Sequence, residues 1–441
     1  MINRREFLGS AMALLSARRR PNIIVILTDD LGYADLSFQG SKDIRSPNID
    51  RIAHGGVRFT SGLVSHPFCS PSRAGLMTGR YQQRFGHENN PIYDPANETA
   101  GLPLKELTLP QLLGSAGYAT GLVGKWHLGA SPRHHPLKRG FSEMFGFIGG
   151  LHDYFNADKN ATGNERLIPL ERNGQPVEPT GYLTDTLNRE ADAFVRQHRS
   201  DPFFLYLAYN APHTPVQASE KYLDRFPNIE DKKRRTYAGM ISAVDDGVGT
   251  LLATLKELKL EQDTLIFFLN DNGGPVGVNG SRNDPLRAGK LSLCEGGIRV
   301  PFAACWPGRL PAGKTFPQPV ISLDILPTAL AAAGIQPPPT LKLDGVNLLP
   351  YLMGQDRTTP HPRLFWRTGG GVSYAVREGR YKLVKAGDAP ELYDVETDVS
   401  ETRNLATVQP EVLNRLLTSF QQWNSELVPP LFPMPPVGRQ R

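Results

Sequence analysis

The stretch Pro-Asn-Ile-Ile-Val-Ile-Leu-Thr-Asp-Asp, residues 21–30, joins a short apolar run directly to a pair of carboxylates. A continuous aliphatic run of this length is typical of a strand that is buried on both faces. Four more runs of the same kind follow along the chain, at residues 119–123, 203–209, 265–269 and 300–306. Helical patterns separate them, and strands that alternate with helices predict an α/β fold with a large, mostly parallel central sheet.

The segments between these runs predict the helices that flank the sheet. Apolar residues recur at helical spacing over residues 48–54, 72–77, 109–116, 184–198, 233–259 and 325–333. The first of these segments follows Pro47, a residue that suits the first turn of a helix. The strands and helices together predict one large unit over residues 21–355.

The sequence changes character after the proline-rich stretch 336–340 and the polar segment 354–362. Short, partly alternating runs separated by glycine are typical of a small antiparallel sheet, and they lie at residues 364–367, 374–377, 381–385 and 392–393. Residues 411–427 then carry apolar side chains near helical spacing. We therefore predict a C-terminal subdomain, residues 356–441, that contains a small antiparallel sheet and a closing helix.

Composition excludes several classes of protein. The chain has 441 residues, of which 39% are hydrophobic and 21% are charged, so it can form a core and is not disordered as a whole. No apolar run approaches the ~18–20 residues of a membrane span, and three cysteines are too few for a disulfide scaffold. Residues 1–20 contribute +4 of the formal net charge of +5, so we expect no nucleic-acid partner. The sequence leaves the oligomeric state open.

The N-terminal segment has the pattern of an export signal. The pair Arg4-Arg5 precedes a short stretch of small and apolar residues at 9–17. Twin arginines before such a stretch are typical of the bacterial signal that exports folded proteins. We predict a signal over residues 1–20, export machinery as a partner, and a mature chain near Pro21 that is periplasmic or extracellular. An amphipathic helix docked on the body of the protein is the alternative.

Acidic and amide side chains follow two of the predicted strands. Asp29 and Asp30 end the first run, and Asp271 and Asn272 follow the fourth. Because parallel strands bind ligands outside their carboxyl ends, these side chains can converge on one point. Three carboxylates there would repel one another unless a cation balanced them. Oxygen donors favour Ca²⁺, or less readily Mg²⁺, over zinc or copper. Capping of the turns that follow the strands is the alternative role.

Cys69 begins a compact motif, Cys-Ser-Pro-Ser-Arg, over residues 69–73. Pro71 can start a helix whose N-terminus points at residue 69. The positive end of that helix, together with Arg73, would favour an oxyanion at this position. A single cysteine is more often a small core residue, so the motif alone leaves both roles open.

Further basic and proton-carrying residues lie at the ends of the remaining predicted strands. Lys125 and His127 follow the second run, His213 follows the third, and Lys290 precedes the fifth. A histidine at a strand end is often only a hydrogen-bonded structural residue, and a single lysine is usually solvated. Their common placement at one edge of the sheet groups them with the predicted cation site.

On these motifs the sequence resembles the type I sulfatases, the formylglycine-dependent family of the alkaline-phosphatase-like superfamily. The resemblance runs from Pro21 to about Ala406, and its most specific part is Cys-x-Pro-x-Arg followed by Ala-Gly-Leu-Met-Thr-Gly-Arg. It implies that a formylglycine-generating enzyme oxidises Cys69 to formylglycine (3-oxoalanine). It implies calcium ligands at Asp29, Asp30, Asp271, Asn272 and residue 69. It also implies catalytic and sulfate-holding roles for Cys69, Arg73, Lys125, His127, His213 and Lys290.

The resemblance implies that the protein hydrolyses sulfate esters. The hydrated aldehyde would attack sulfur, and we expect His213 to protonate the leaving oxygen, with Asp271 as the competing acid. His127 would remove the proton that allows sulfate to leave. Cys294 and Cys305 are read as buried structural residues, and a disulfide between them after export is left open.

The expected substrate is a sulfated oligo- or polysaccharide, because export favours an extracellular carbohydrate. Residues that could bind a sugar are His87, Arg133, His134 and His152, with solvated loop residues or salt-bridge partners as the alternative. Two other functions stay open. One is a formylglycine-dependent phosphodiesterase or phosphonate monoester hydrolase, and the other is an inactive homologue that binds glycans.

Overall fold

The computed structural model describes residues 19–158, 161 and 164–433. The predicted export signal, including its arginine pair, therefore lies outside the described residues except for Arg19 and Arg20. Among the described residues, no helix combines the length and the apolar character that crossing a bilayer would require.

Strands of three sheets organise the described chain. In chain order they are β1 Asn22–Thr28, β2 Val57–Phe59, β3 Gly62–Leu63, β4 Ala119–Lys125, β5 Glu143–Phe147, β6 Leu170–Arg172, β7 Gln175–Val177, β8 Phe203–Ala208, β9 Thr264–Asn270, β10 Phe302–Cys305, β11 Lys314–Phe316, β12 Val320–Ile321, β13 Arg363–Thr368, β14 Ser373–Glu378, β15 Tyr381–Lys385 and β16 Glu391–Asp394. The large sheet has ten strands in the order β11-β2-β10-β9-β1-β8-β4-β5-β6-β7. All five predicted core strands belong to it.

The centre of the large sheet is parallel. Strands β9, β1, β8, β4 and β5 run in the same direction, with Thr28 of β1 opposite Asn270 of β9. Strand β10 pairs antiparallel with β9, and β5, β6 and β7 form an antiparallel edge. Every residue of β1, β8 and β9 is buried, as the continuous apolar runs predicted. The prediction of a mostly parallel central sheet is confirmed.

Helices cover both faces of this sheet. They are Pro47–Gly55, Cys69–Thr78, Leu109–Ser115, Leu183–Gln197, Glu220–Leu223, Lys232–Glu257, Glu295–Ile298, Ile325–Ala332, Leu349–Leu352 and Pro410–Asn424. The six predicted helices of the large unit are present, with bounds that differ from the prediction by at most three residues. Alternate strand residues enter opposite cores: Ile24 and Ile26 pack on one face, and Val25 on the other.

The C-terminal part forms its own antiparallel sheet. Strands β13 to β16 pair in sequence order, and the helix Pro410–Asn424 packs against the middle strands. This confirms the predicted sheet and helix, although the helix ends at Asn424 and not at residue 427. The chain then turns back to the large unit, where the amide of Val428 donates to the carbonyl of Gln83 (3.3 Å).

A buried ionic cluster joins this small sheet to the large unit. Lys382 on β15 is fully buried, and its Nζ lies 2.9 Å from Glu295 and 3.0 Å from Glu401. Arg299 also pairs with Glu295, at 3.1 Å. Burial would raise the pKa of Glu295, but Lys382 and Arg299 lower it to about 2. Because Glu295 begins the short helix Glu295–Ile298, the ammonium group anchors the small sheet to the large unit.

The two cysteines outside the Cys69 motif are buried free thiols. Cys294 packs in the core of the C-terminal sheet, whereas Cys305 on β10 packs in the core of the large sheet. Their prediction as buried residues is confirmed, and no disulfide joins them in this structure.

Replacing Lys382 with methionine should lower the free energy of unfolding by roughly 3–5 kcal/mol, because buried Glu401 would lose its ammonium partner and Glu295 would keep only Arg299. Equilibrium unfolding in urea measures this loss. Lys385→Met, on the same strand but nearer the surface, is the matched control and should cost less than about 1 kcal/mol. Equal losses in the two variants would show that the buried cluster does not anchor the sheet.

Candidate active site

The ends of β1 and β9 bring the predicted acidic residues together. Asp29 and Asp30 follow β1, and Asp271 and Asn272 follow β9, which is its direct neighbour. Asn270 ties the two ends, because its Oδ1 accepts hydrogen bonds from the Thr28 hydroxyl (2.9 Å) and from the Leu31 amide (3.2 Å). The structure therefore places the four side chains at one edge of the sheet, as predicted.

Cys69 lies at the same edge, at the start of the helix Cys69–Thr78. Its side chain is 1% exposed, and its Sγ donates to Asp29 Oδ1 across 3.6 Å. Ligand atoms of Asp29, Asp30, Cys69 and His213 all lie within 4.8 Å of one another. Burial, with Asp29 next, raises the pKa of the Cys69 thiol well above its usual range. The unmodified side chain is therefore a neutral thiol, which is a weak nucleophile.

Each of the three carboxylates meets a basic side chain. Nitrogen–oxygen contacts pair Arg73 with Asp271 (2.9 Å), Lys290 with Asp30 (2.7 Å), and Lys125 with Asp29. Arg73 also reaches Asp29, at 3.4 Å. Each buried carboxyl group thus has a basic partner within the protein.

The pKa values of Asp29 and Asp271 are shifted in opposite directions. Burial would raise the pKa of Asp29, but Lys125, His213 and Arg73 hold it well below its ordinary value. Burial and the neighbouring Asp29 instead raise the pKa of Asp271 to about 7. Asp29 is therefore firmly ionised, whereas Asp271 depends on additional positive charge for its ionisation.

The two predicted histidines differ in their hydrogen bonds. The Nδ1 of His213 donates to the Thr214 carbonyl (2.6 Å), and its Nε2 lies 3.4 Å from Asp30. Burial lowers the pKa of His213, and Asp30 opposes that shift. Burial, with Lys125 and Arg73 next, puts the pKa of His127 well below its ordinary value. His127 is therefore a neutral base, and its buried Nδ1 has no hydrogen-bond partner among the described residues.

A close approach of two loops positions Lys290. The Gly273 amide donates to the Gly297 carbonyl (2.9 Å), and a Cβ at Gly273 would lie 1.7 Å from the Gly296 carbonyl oxygen. The Lys290 amide donates to the Gly274 carbonyl (3.2 Å). The loop after β9 can therefore pack on the segment that carries Lys290 only because position 273 lacks a side chain.

A cavity of about 70 Å³ opens beside Cys69. His127, His213 and Lys290 line it, as the sequence predicted, and they are joined by Asn90, Ile92, Leu151 and Glu165. A neighbouring cavity of about 410 Å³ shares Phe68, His213 and Lys290 and has an apolar wall that includes Val276, Val278 and Leu291. Sequence reasoning missed Leu151, Glu165 and this apolar wall, since none of them lies in a recognisable motif.

The four residues predicted to bind a sugar lie elsewhere in this structure. The ring of His87 hydrogen-bonds Ser70 Oγ (2.6 Å), and the ring of His134 hydrogen-bonds Ser131 Oγ (2.8 Å). The ring of His152 hydrogen-bonds the carbonyls of Asp153 and Ile168. Arg133 forms an ion pair with Glu98 at the surface. All three histidines are buried. None of the four lines the cavity beside Cys69, so their role in binding remains a prediction that this geometry does not support.

The donor set fits a hard divalent cation. Asp29, Asp30 and Asp271 offer carboxylate oxygens, and Asn272 offers an amide oxygen. Within the described chain, Asp271 Oδ1 and Asn272 Oδ1 are buried without any hydrogen-bond partner, which is costly unless a cation satisfies them. Oxygen donors of this kind are preferred by Ca²⁺ and Mg²⁺. Such an ion would also stabilise the ionised form of Asp271.

Comparison with protein families and curated proteins agrees with this geometry. The family model described as Sulfatase matches residues 21–335, and the model for the C-terminal part of N-sulphoglucosamine sulphohydrolase matches residues 289–424. The chain is 38% identical over 394 residues to N-acetylgalactosamine-6-sulfatase of Homo sapiens, covering 84% of this chain and 72% of that protein. It is 34% identical over 456 residues to arylsulfatase A of Bos taurus, with 92% and 88% covered.

Solved structures share the same architecture. The crystal structure of Ps i-CgsB in complex with k-i-k-neocarrahexaose matches with a TM-score of 0.90 at 41% identity and covers 96% of both chains. The PsFucS1 sulfatase from Pseudoalteromonas sp. matches with a TM-score of 0.80 at 24% identity, covering 96% of this chain and 94% of that one. At that identity the second match shows the shared fold alone.

We expect added Ca²⁺ to raise the thermal unfolding midpoint of the protein, and chelation with EDTA to reverse the shift. At a hundredfold excess over Kd the stabilisation would be about 2.7 kcal/mol. Asp30→Asn should lose most of the shift, because a charged donor is removed. Differential scanning calorimetry with and without the ion measures it.

Asp245→Asn is the control for this experiment. Asp245 is also buried, but it binds the first turn of the helix Pro47–Gly55 and should leave the Ca²⁺ response intact. A wild-type protein that does not respond to millimolar Ca²⁺, or an equal response in Asp30→Asn, would contradict a cation site in this cluster.

Proposed function

The chain belongs to the sulfatase family of sulfuric ester hydrolases, and from that premise we propose that it removes sulfate from an oligo- or polysaccharide. The observation that carries the proposal is the placement of Cys69, whose Sγ shares one buried cluster with Asp29, Asp30 and His213. Carbohydrate as the substrate class is supported by relatives whose names specify a sugar: N-acetylgalactosamine-6-sulfatase, and Ps i-CgsB with its bound oligosaccharide.

We further propose that the working site contains Ca²⁺ and a formylglycine made from Cys69 by a formylglycine-generating enzyme. Asp29, Asp30, Asp271, Asn272 and residue 69 would hold the ion. When bound, Ca²⁺ would supply positive charge that acidifies a neighbouring hydroxyl group. Formylglycine, as its hydrate, would supply the nucleophilic hydroxyl and a second hydroxyl through which sulfate can be released.

The cationic side chains would hold the sulfate group. Lys125 and Lys290 lie beside Asp29 and Asp30, next to residue 69, where ammonium groups can neutralise sulfate oxygens. Arg73 contacts both Asp271 and Asp29 and is fully buried, so it fixes the spacing between the ends of β9 and β1. Positions set in advance by buried ion pairs need no rearrangement during the reaction.

The two histidines would divide the proton transfers. His213 already donates from Nδ1 to a carbonyl, so Nε2 is the atom that can deliver a proton to the leaving oxygen. Asp30 lies 3.4 Å from that nitrogen and stabilises the protonated ring. His127 is held neutral by burial and by nearby cations, and can therefore accept the proton whose loss allows sulfate to leave.

The site of action would be outside the cytoplasm. The predicted signal at residues 1–20 would direct the folded chain through export machinery to the periplasm or the cell exterior. Sulfated polysaccharides are too large to enter a cell freely, so an exported enzyme would meet them where they are found.

Cys69→Ala and Cys69→Ser should each lower sulfate release by roughly 10³-fold or more, because alanine has no nucleophile and an unoxidised serine has no second hydroxyl through which sulfate can leave. The measurement is free sulfate released from sulfated mono-, oligo- and polysaccharides and from 4-nitrophenyl sulfate. An aryl phosphate diester in the same panel measures the competing phosphodiesterase reaction.

Cys305→Ala provides the matched control, since Cys305 is also buried but lies on β10 away from the cluster. It should keep near wild-type turnover and lose only some stability. Sulfate release by Cys69→Ala close to that of the wild type would refute the assignment of residue 69. Release from 4-nitrophenyl sulfate but from no carbohydrate would refute the carbohydrate assignment alone.

His213→Ala should lose about 10²-fold or more on sugar sulfates, whose alkoxide leaving group needs a proton. The loss on 4-nitrophenyl sulfate should be at least tenfold smaller, since that leaving group is stable as an anion. Steady-state kcat/KM on both substrates measures the difference. His54→Ala at the exposed end of the helix Pro47–Gly55 is the control and should change neither rate. Equal losses on both substrates would remove His213 from the acid role.

A further inference from the structure

Glu165 places a carboxylate in the wall of the cavity beside Cys69. It begins the short turn Glu165–Leu167, between strands β5 and β6, and lines the same cavity as Cys69, His127 and Lys290. Among the described residues around this cavity, no other side chain is acidic. Glu165 therefore gives this wall an acceptor for hydrogen bonds beside side chains that are basic, polar or apolar.

Two consecutive glycines, Gly149 and Gly150, lie against this carboxylate and fix its position. The amide of Gly150 donates to Glu165 Oε1. A Cβ at Gly150 would lie 2.5 Å from His127 Nε2 and 3.1 Å from Glu165 Oε1, and one at Gly149 would lie 3.0 Å from the same oxygen. The carboxylate and the imidazole therefore lie close to the same bare stretch of backbone, and any side chain there would displace one of them.

The carboxylate keeps hydrogen-bonding capacity for a ligand. An ionised carboxylate can accept about four hydrogen bonds. Within the described chain Glu165 accepts the one from Gly150 and has no basic side chain within 4 Å, His127 included. Burial raises the pKa of Glu165, while the Gly150 amide and Lys125 lower it in part. Glu165 is half-buried, and the lone pairs it does not use face the cavity that Cys69 also lines, where a hydroxyl group of a bound ligand can donate to them.

We propose that Glu165 is a specificity-determining residue whose carboxylate accepts a hydrogen bond from a hydroxyl group of the sugar that carries the departing sulfate. This inference rests on the proposed function, because it requires the cavity to receive a sulfated sugar. Lys125 and Lys290 would hold the sulfate, while Glu165 reads the ring beside it. The same negative charge repels a second sulfate or a carboxylate in place of that hydroxyl, so the site selects a sugar with a neutral neighbouring group.

The strength of this contact follows from its charge. Hydrogen bonds to ionised carboxylates are about twice as strong as neutral ones. A site built around a substrate hydroxyl also rejects analogues that lack it, because the protein group is then left unpaired. An effect of about ten- to a hundredfold on kcat/KM is therefore expected when the charge is removed.

Glu165→Gln tests the charge and keeps the size, since its amide oxygen can still accept from Gly150. Three probes are compared: 4-nitrophenyl sulfate, the best monosulfated substrate among N-acetylgalactosamine and carrageenan oligosaccharides, and its counterpart with a second sulfate on the adjacent hydroxyl. We expect kcat/KM on the monosulfated sugar to fall about ten- to a hundredfold. The rate on 4-nitrophenyl sulfate should change less than about twofold. The ratio of kcat/KM on the monosulfated sugar to kcat/KM on the disulfated one should fall.

The alternative outcomes each overturn the proposal. Equal losses on the aryl and sugar substrates would mean that Glu165 positions His127 and does not read the sugar. An unchanged rate on the sugar would mean that it contacts no substrate. A wild-type enzyme that acts on the aryl sulfate but on no sugar would also refute the role of Glu165, whereas a wild-type protein that acts on none of the probes would refute the proposed function itself.

Two controls keep the experiment decisive. Glu230→Gln changes an exposed glutamate away from the cavity and should leave all three rates unchanged. Thermal unfolding checks that Glu165→Gln is folded. If it is not, Glu165→Asp, which withdraws the charge by one methylene group, should lose rate on the sugar and not on the aryl sulfate.

Calorimetric binding of the desulfated sugar gives a readout that is independent of turnover. We expect the variant to bind this sugar more weakly than the wild type does.

Discussion

Repulsion among three buried carboxylates is the constraint on which the rest of the site depends. Asp29, Asp30 and Asp271 lie within one small volume because β1 and β9 are adjacent and parallel. Carboxylates buried this close cannot all stay ionised without positive charge nearby. The chain supplies that charge from Arg73 on a helix, Lys125 at a strand end and Lys290 on a loop. The helix at residue 69, the end of β4 and the glycine-rich contact after β9 all serve to bring those charges to one point.

The same charges would also favour binding of a sulfate ester. The three cations match the three carboxylates, so a bound divalent ion would make the cluster positive and attractive to an anion. Burial strengthens each of these interactions, because little water competes for them. A sulfate ester carries one negative charge spread over several oxygens, and the cluster offers several separated positive groups to receive it. Glu165 then adds one negative charge at the wall, where the uncharged part of the substrate would lie.

Local sequence was sufficient for the parts of this arrangement that local chemistry decides. The apolar run at residues 23–27 predicted a buried strand, the carboxylates after it predicted a strand-end site, and Pro71 predicted the helix at Cys69. The burial of loop residues depends on distant contacts and could not be predicted from local sequence. His87, for example, hydrogen-bonds Ser70 and packs against Phe432, which is 345 positions away. The position of Glu165 was also not predictable, since its place in the cavity depends on Gly150 and on a turn that no sequence motif indicates. The antiparallel direction of β10 likewise depends on its pairing with β9 and not on its own composition.

The proposed catalysis requires an oxidised side chain at residue 69, beside a hard cation held by oxygen donors. The most direct test is mass spectrometry of the peptide that contains residues 69–73, on preparations matured to different extents with a formylglycine-generating enzyme, set against their rates of sulfate release. We expect turnover to rise in proportion to the fraction of residue 69 that has lost its sulfur atom and become formylglycine. Full turnover by protein whose residue 69 is still a cysteine thiol would contradict it.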